Sequence, residues 1–93
     1  MRAVFVMIKC EMGAAYKVAQ QAADTIEEMS ELYSISGQYD LLGKFYLEPD
    51  RDIGLFVTEK IQVLAGVKDT HTLITFNAFT AGTKDGATRR GRA

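Results

Sequence analysis

The chain has 93 residues, 47% of them hydrophobic and 25% charged, with a formal net charge of −1. A length of this kind bounds one small domain, which on its own buries only a limited share of its surface. The composition excludes a disordered chain, and without a run of roughly 18 apolar residues no spanning helix is expected.

Residues 2 to 10, "RAVFVMIKC", are apolar on both alternating sets, the pattern of a central strand buried on both faces. From Ala15 the apolar positions recur at Val18, Ala19, Ala22, Ala23, Ile26 and Met29. That three-and-four spacing predicts a helix whose largely alanine stripe can approach a sheet closely. "ELYSISG", 31 to 37, alternates and stops at a glycine, which predicts a second strand. "DLLGKFYLE" resumes at Asp40 with apolar and aromatic residues, making the two segments a hairpin that Pro49 ends. Asp50 or Asp52 can cap a second helix, with Ile53, Phe56, Val57, Ile61 and Leu64 on its buried side and Gly66 as its stop. "THTLITFNAF", 70 to 79, alternates again as a fourth strand. The C-terminal remainder is rich in Gly, Thr and charge, so one domain is expected over 1–80 and a flexible basic tail over 81–93.

This order predicts an α+β, ferredoxin-like βαββαβ fold: a four-stranded antiparallel sheet with two helices on one face. On the first strand Val4, Val6 and Ile8 point one way and Ala3, Phe5 and Met7 the other, so neither face suits water. No other segment remains to cover the second face. A second copy stacked sheet to sheet is the simplest cover, and an obligate homodimer is expected.

Charge and targeting signals narrow the partners. Lys84, Arg89, Arg90 and Arg92 all fall in the last ten residues, leaving seven basic against eleven acidic residues before them. An acidic body argues against a nucleic-acid surface, and four charges on a tail would bind nucleic acid weakly and with strong salt dependence. The N-terminal segment lacks a small-residue cleavage site, so no signal peptide and a cytoplasmic location are expected. Cys10 is the single cysteine, which excludes an internal disulfide and leaves no Cys/His set at metal-ligand spacing; no metal or cofactor is expected.

Catalysis needs convergent groups, and one His with one Cys offers few, so enzyme activity is not expected. His71 could act as a base or haem ligand, although a strand start more commonly places it at a surface or interface. Gly43-Lys44 lacks the rest of a phosphate loop, and Asp24, Glu27, Glu28 and Glu31 form a solvated helix face. The stretch "GQYDLLGKF" is more informative. Gly37 can adopt positive φ and leave backbone N–H groups free for a carboxylate, while Asp40 could meet an ammonium group; Thr70 and Thr72 would add hydroxyl donors. The plainer alternative is a turn whose carboxylate bonds its own backbone.

Two motifs, the G-x-Y-D of Gly37, Tyr39 and Asp40 and the G-V-x-x-T-x-T of Gly66, Val67, Thr70 and Thr72, are separated by one helix. Over about 2 to 79 the chain resembles the effector-binding domain of the Lrp/AsnC regulators, also called the RAM domain. The resemblance implies the same βαββαβ fold, sheets packed face to face in dimers, rings of dimers, and an amino acid or related effector held in a cleft between dimers. It carries over Gly37, Gln38, Tyr39, Asp40, Thr70 and Thr72 as ligand-binding positions. Because the first strand begins at residue 2, a stand-alone form without the helix-turn-helix domain is expected, with no direct DNA binding and full-length regulators as possible partners. The competing expectation is a dimeric α+β barrel enzyme, a small monooxygenase or haem-handling protein. It requires a roomy cavity between sheet and helices with His71, Tyr33 or Tyr46 pointing inward.

Overall fold

The computed structural model describes residues 1–79; the domain boundary expected at 80 and the tail over 81–93 lie outside the described residues. In chain order the elements are β1 (Arg2–Cys10), α1 (Ala15–Thr25), β2 (Met29–Ser34), β3 (Leu41–Leu47), α2 (Ile53–Phe56) and β4 (Val67–Ile74). Helix α2 runs directly into a π-helical turn, Val57–Ile61. The strands form one antiparallel sheet in the order β2-β3-β1-β4, the fold expected from the periodicity.

Register divides the sheet residues between two faces. Val4, Val6 and Ile8 stand opposite Phe45, Gly43 and Leu41 on one side and Ile74, Thr72 and Thr70 on the other. This face lies under the helices. Val18 and Ala22 of α1, with Phe56 and Ile61 of the second helical segment, complete a core in which every buried side chain among the described residues is apolar. The rings of Phe45 and Phe56 meet edge to face, 5.4 Å between centroids, and each contributes roughly 1.5–3 kcal/mol through burial. Phe45 lies back over Gly43, where an added Cβ would come within 2.7 Å of its ring. That is why a glycine sits in the middle of a strand.

Boundaries differ from expectation in instructive ways. α1 ends at Thr25, whose hydroxyl donates to the Gln21 carbonyl at 2.7 Å. Ile26 is its extended C-cap yet remains buried, Met29 opens β2 instead of closing the helical stripe, and Ala23 is exposed. Of the two candidate caps, Asp52 acts, accepting from the Leu55 N–H at 2.9 Å. β4 starts three residues early because Val67 pairs with Cys10, and it ends at Ile74 opposite Val4, leaving 75–79 without regular structure.

Gly66, at φ +97, makes the turn into β4 in a backbone region disfavoured for other residues. A Cβ there would meet Ala14 at 3.0 Å, and its carbonyl accepts from the Glu11 N–H at 2.7 Å. Gln21 clamps the adjoining Ala65 with both ends of its amide, donating to the carbonyl at 3.0 Å and accepting from the N–H at 3.3 Å. These contacts fix the β1–α1 turn against the start of β4, and the space between them and β3 is a cleft.

Candidate functional site

At its last residues β1 loses regular pairing on both sides. Toward β3, the Asp40 N–H donates to the Ile8 carbonyl at 2.9 Å, and the Cys10 N–H donates to Asp40 Oδ2 at 2.8 Å. A side-chain oxygen thus takes the place of the next ladder carbonyl. Toward β4, Lys9 is opposite Asp69 but Cys10 is opposite Val67, so Lys68 is the extra residue of a β-bulge. The chain leaves through Glu11, Met12 and Gly13, and α1 begins without a side-chain cap.

The opening so formed is a cleft of about 640 Å³ lined by Lys9, Cys10, Glu11, Met12, Gly13, Ala15, Tyr16, Asp40 and Lys68. Carboxylates and ammonium groups share it with apolar walls. Met12 and Tyr16 stand exposed at its rim. Cys10 is buried beneath; burial pushes its thiol pKa up, the Asp40 carboxylate pushes it further, and Lys9 opposes weakly. The protonated thiol is a wall, not a nucleophile.

The six positions expected to bind ligand fall into three places. Asp40 enters the cleft, with Oδ2 held by Cys10. That oxygen is therefore bonded to the neighbouring strand and not to its own turn backbone. Gly37, at φ +108, shapes the β2–β3 turn, and Gln38 and Tyr39 line a smaller hollow of about 300 Å³ with Lys9 and Asp69. The Tyr39 ring lies 6.2 Å from that of His71. Thr70 and Thr72 are on β4, beyond β1 from β3 and on the helix side; the Thr70 hydroxyl accepts from Gln62 Nε2 at 2.8 Å. Neither threonine lines the Asp40 cleft.

Lys9, Lys68 and Tyr16 escaped sequence reasoning. The signal for Lys9 was present, a single charge ending an otherwise apolar strand; Lys68 depends on a bulge that periodicity does not reveal. The residues nominated for an inward catalytic role are elsewhere. His71 pairs with Met7, Tyr33 with Leu42 and Tyr46 with Ala3, all on the face away from the helices, while the sheet–helix space is filled by apolar side chains. No helix among the described residues is long and apolar enough to cross a membrane.

Comparison with known proteins agrees with this fold. The family model of the Lrp/AsnC ligand binding domain matches residues 3–84. No protein of curated function matches the chain in sequence. Among solved structures, TTHA0845 from Thermus thermophilus is 30% identical with a TM-score of 0.77, over 86% of this chain and 99% of that one. Hypothetical protein PHS023 from Pyrococcus horikoshii is 27% identical with a TM-score of 0.72, over 84% and 93%. The fold also recurs in the transcriptional regulator NMB0573 of Neisseria meningitidis, solved as an L-Met complex, at 15% identity and a TM-score of 0.73; this chain spans 53% of that regulator and matches over 87% of its own length.

Proposed function

The chain belongs to the Lrp/AsnC ligand binding domain family, and from that premise we propose that it is an amino-acid-sensing, oligomerising module of this regulator family. The observation that carries the proposal is the cleft at the end of β1, where Asp40 offers a carboxylate for an α-ammonium group and Lys9 and Lys68 offer ammonium groups for an α-carboxylate. A zwitterion requires both charges within a few ångström, and charge-assisted hydrogen bonds are the strong ones. The L-Met complex of the Neisseria regulator, which shares the fold, supports this class of effector. The open sheet face supplies the second half of the proposal: two copies stack there, and Gly37, Gln38, Tyr39, Thr70 and Thr72 complete the ligand site where dimers meet.

A thermal-shift screen of the twenty amino acids, with sedimentation in parallel, tests both halves. Asp40→Ala would also strip the Cys10 N–H of its acceptor, so Asp40→Asn is the cleaner variant: it keeps an amide oxygen for the strand and removes the charge. The expected result is a stabilising amino acid whose shift shrinks in Asp40→Asn while the sedimenting mass is unchanged. An identical shift in the variant takes Asp40 out of the site, and a stable monomer at micromolar concentration overturns the stacked pair.

A further inference from the structure

Resting on the proposed pairing of two copies, we infer that residues 75–79 are an exchanged arm, which adds to the outer edge of β2 in the partner copy. The segment "TFNAF" follows β4, and its two rings are the most exposed aromatic groups among the described residues, Phe76 at 93% and Phe79 at 91%. The chain leaves the sheet before its neighbour does: β1 stays paired with β3 as far as Arg2–Leu47, whereas its pairing with β4 stops at Val4–Ile74. If the alternation of β4 is carried on, Phe76 falls on the helix side with Thr70, Thr72 and Ile74, and Phe79 on the open side with His71 and Leu73. A strand apolar on both faces needs cover on both.

The sheet order makes β2 and β4 the two edges. β4 is partly blocked, since the Thr70 N–H already donates to Asp69 Oδ1 at 2.9 Å and Gln62 donates to the Thr70 hydroxyl. β2 is open. Even-numbered residues of the β3 segment bond it, the Asp40 carbonyl accepting from the Ile35 N–H and the Tyr46 N–H donating to the Glu28 carbonyl, each at 2.9 Å. By that alternation Leu32 and Ser34 direct their backbone N–H and C=O groups outward. Among the described residues no side chain bonds the backbone of Met29–Ser34. The side chains of this edge match the arm. Leu32, packed against the core, lies on the helix side opposite Gly43, and the exposed Tyr33 lies on the open side opposite Leu42. Phe76 thus extends the covered face past Leu32, and Phe79 lies beside Tyr33.

The chain's own β2 cannot be the acceptor. It is three strand spacings from β4, about 14 Å, across β1 and β3, and five residues span roughly 17 Å at full extension. Crossing would leave nothing to pair. A second copy brings its β2 freely, and with one arm and one open edge per chain a two-fold pair uses both and closes.

Sedimentation of the full chain, of Phe76→Ser/Phe79→Ser and of Ser34→Pro, with amide hydrogen exchange on the wild type, tests the arm. Both rings are already in water in the isolated chain, and the Ser34 N–H lies outside the β2–β3 ladder, so each variant should keep the wild-type circular dichroism. Each should weaken the pairing about a hundredfold or more. Mixed in equal amounts, the two variants should associate more tightly than either alone, because the mixed pair regains one intact arm on one intact edge. In the wild-type pair the amides of 75–79, Leu32 and Ser34 should be protected. An arm variant that pairs as tightly as wild type, or free exchange at 75–79 in the pair, overturns the inference and leaves the stacked pair standing. A mixture no tighter than its components also overturns it, since the two positions then do not meet; should Ser34→Pro fail to fold, the arm variant and the exchange at 75–79 decide. A monomeric wild type removes both proposals.

Discussion

Along β1, Val4, Val6 and Ile8 are no more than 1% exposed, whereas the interleaved Ala3, Phe5 and Met7 are only half-buried. The two sets belong to the same nine residues and differ only in the face they occupy. On the helix side, Phe45 and Phe56 close the core and no charge enters it. On the open side, Phe5, Met7, Leu42, Tyr46 and Leu73 are interspersed with Lys44, Glu31 and His71, and Lys44 Nζ hovers 5.2 Å from the Tyr46 ring and 5.9 Å from that of Phe5. Tyr33 donates to Glu31 at 2.7 Å, and that hydrogen bond holds its phenol pKa up. The difference teaches how one strand serves two environments. One face is a finished core; the other is a half-buried mixture of aromatic, aliphatic and charged side chains, with Lys44 set among the rings, and it is the face on which the proposed pairing rests.

The contrast is broken most sharply by one substitution on each face. Phe45→Ala should cost about 3–5 kcal/mol by denaturant titration, enough to threaten the fold of so small a domain. A loss below about 1 kcal/mol would mean that the helix layer is not the principal core. On the open face Leu42→Glu should leave secondary structure intact yet weaken the proposed pairing about a hundredfold or more, since a charge would be buried at the contact in both copies. Unchanged sedimentation would move the interface off this face. Gly43→Ala joins the two faces: it keeps the open side untouched but forces the Phe45 ring to shift from a 2.7 Å contact, at an expected cost of about 1–3 kcal/mol. Association of the folded fraction should be unaffected, and a variant as stable as wild type would show that the ring relaxes freely.

How much of this was legible in the sequence divides along the same line. The covered face repeats with a fixed period, so Val4, Val6 and Ile8 and the stripe of Val18 and Ala22 could be read directly. Strand ends could not, because they depend on partners: β4 begins at Val67 only because Cys10 is there to pair with it. The site was half visible. Gly37 and Asp40 announce a turn and a carboxylate, but that Asp40 serves as a ladder acceptor for Cys10 is a contact across thirty residues of chain that no local pattern encodes. Lys68 was hidden for a related reason, since an inserted residue shifts the alternation on which strand reading rests.

The smallest effect belongs to a contact at the margin of the covered face. Arg51 Nη1 donates to Glu28 Oε2 at 3.0 Å and stacks over Phe56 with its guanidinium carbon 5.2 Å from the ring centroid. Burial alone pushes the Glu28 carboxyl pKa up, but the hydrogen bond from Arg51, one from its own backbone, and the charges of Arg51 and Lys60 together outweigh it and hold the group below its ordinary value. A carboxyl whose folded pKa is depressed adds stability above its unfolded range, and that stability is lost as pH falls through the folded value. With side-chain exposures of 35% and 20%, the pair contributes no more than about 1 kcal/mol. Arg51→Met keeps an apolar cover over Phe56 while deleting the charge. It should therefore be less stable than wild type by up to about 1 kcal/mol at neutral pH, with the gap closing below roughly pH 4 as Glu28 protonates in both proteins. A gap of the same size at about pH 3 and about pH 7 would show that Arg51 acts through packing on Phe56 and not through Glu28, and the covered face would then be apolar to its very edge.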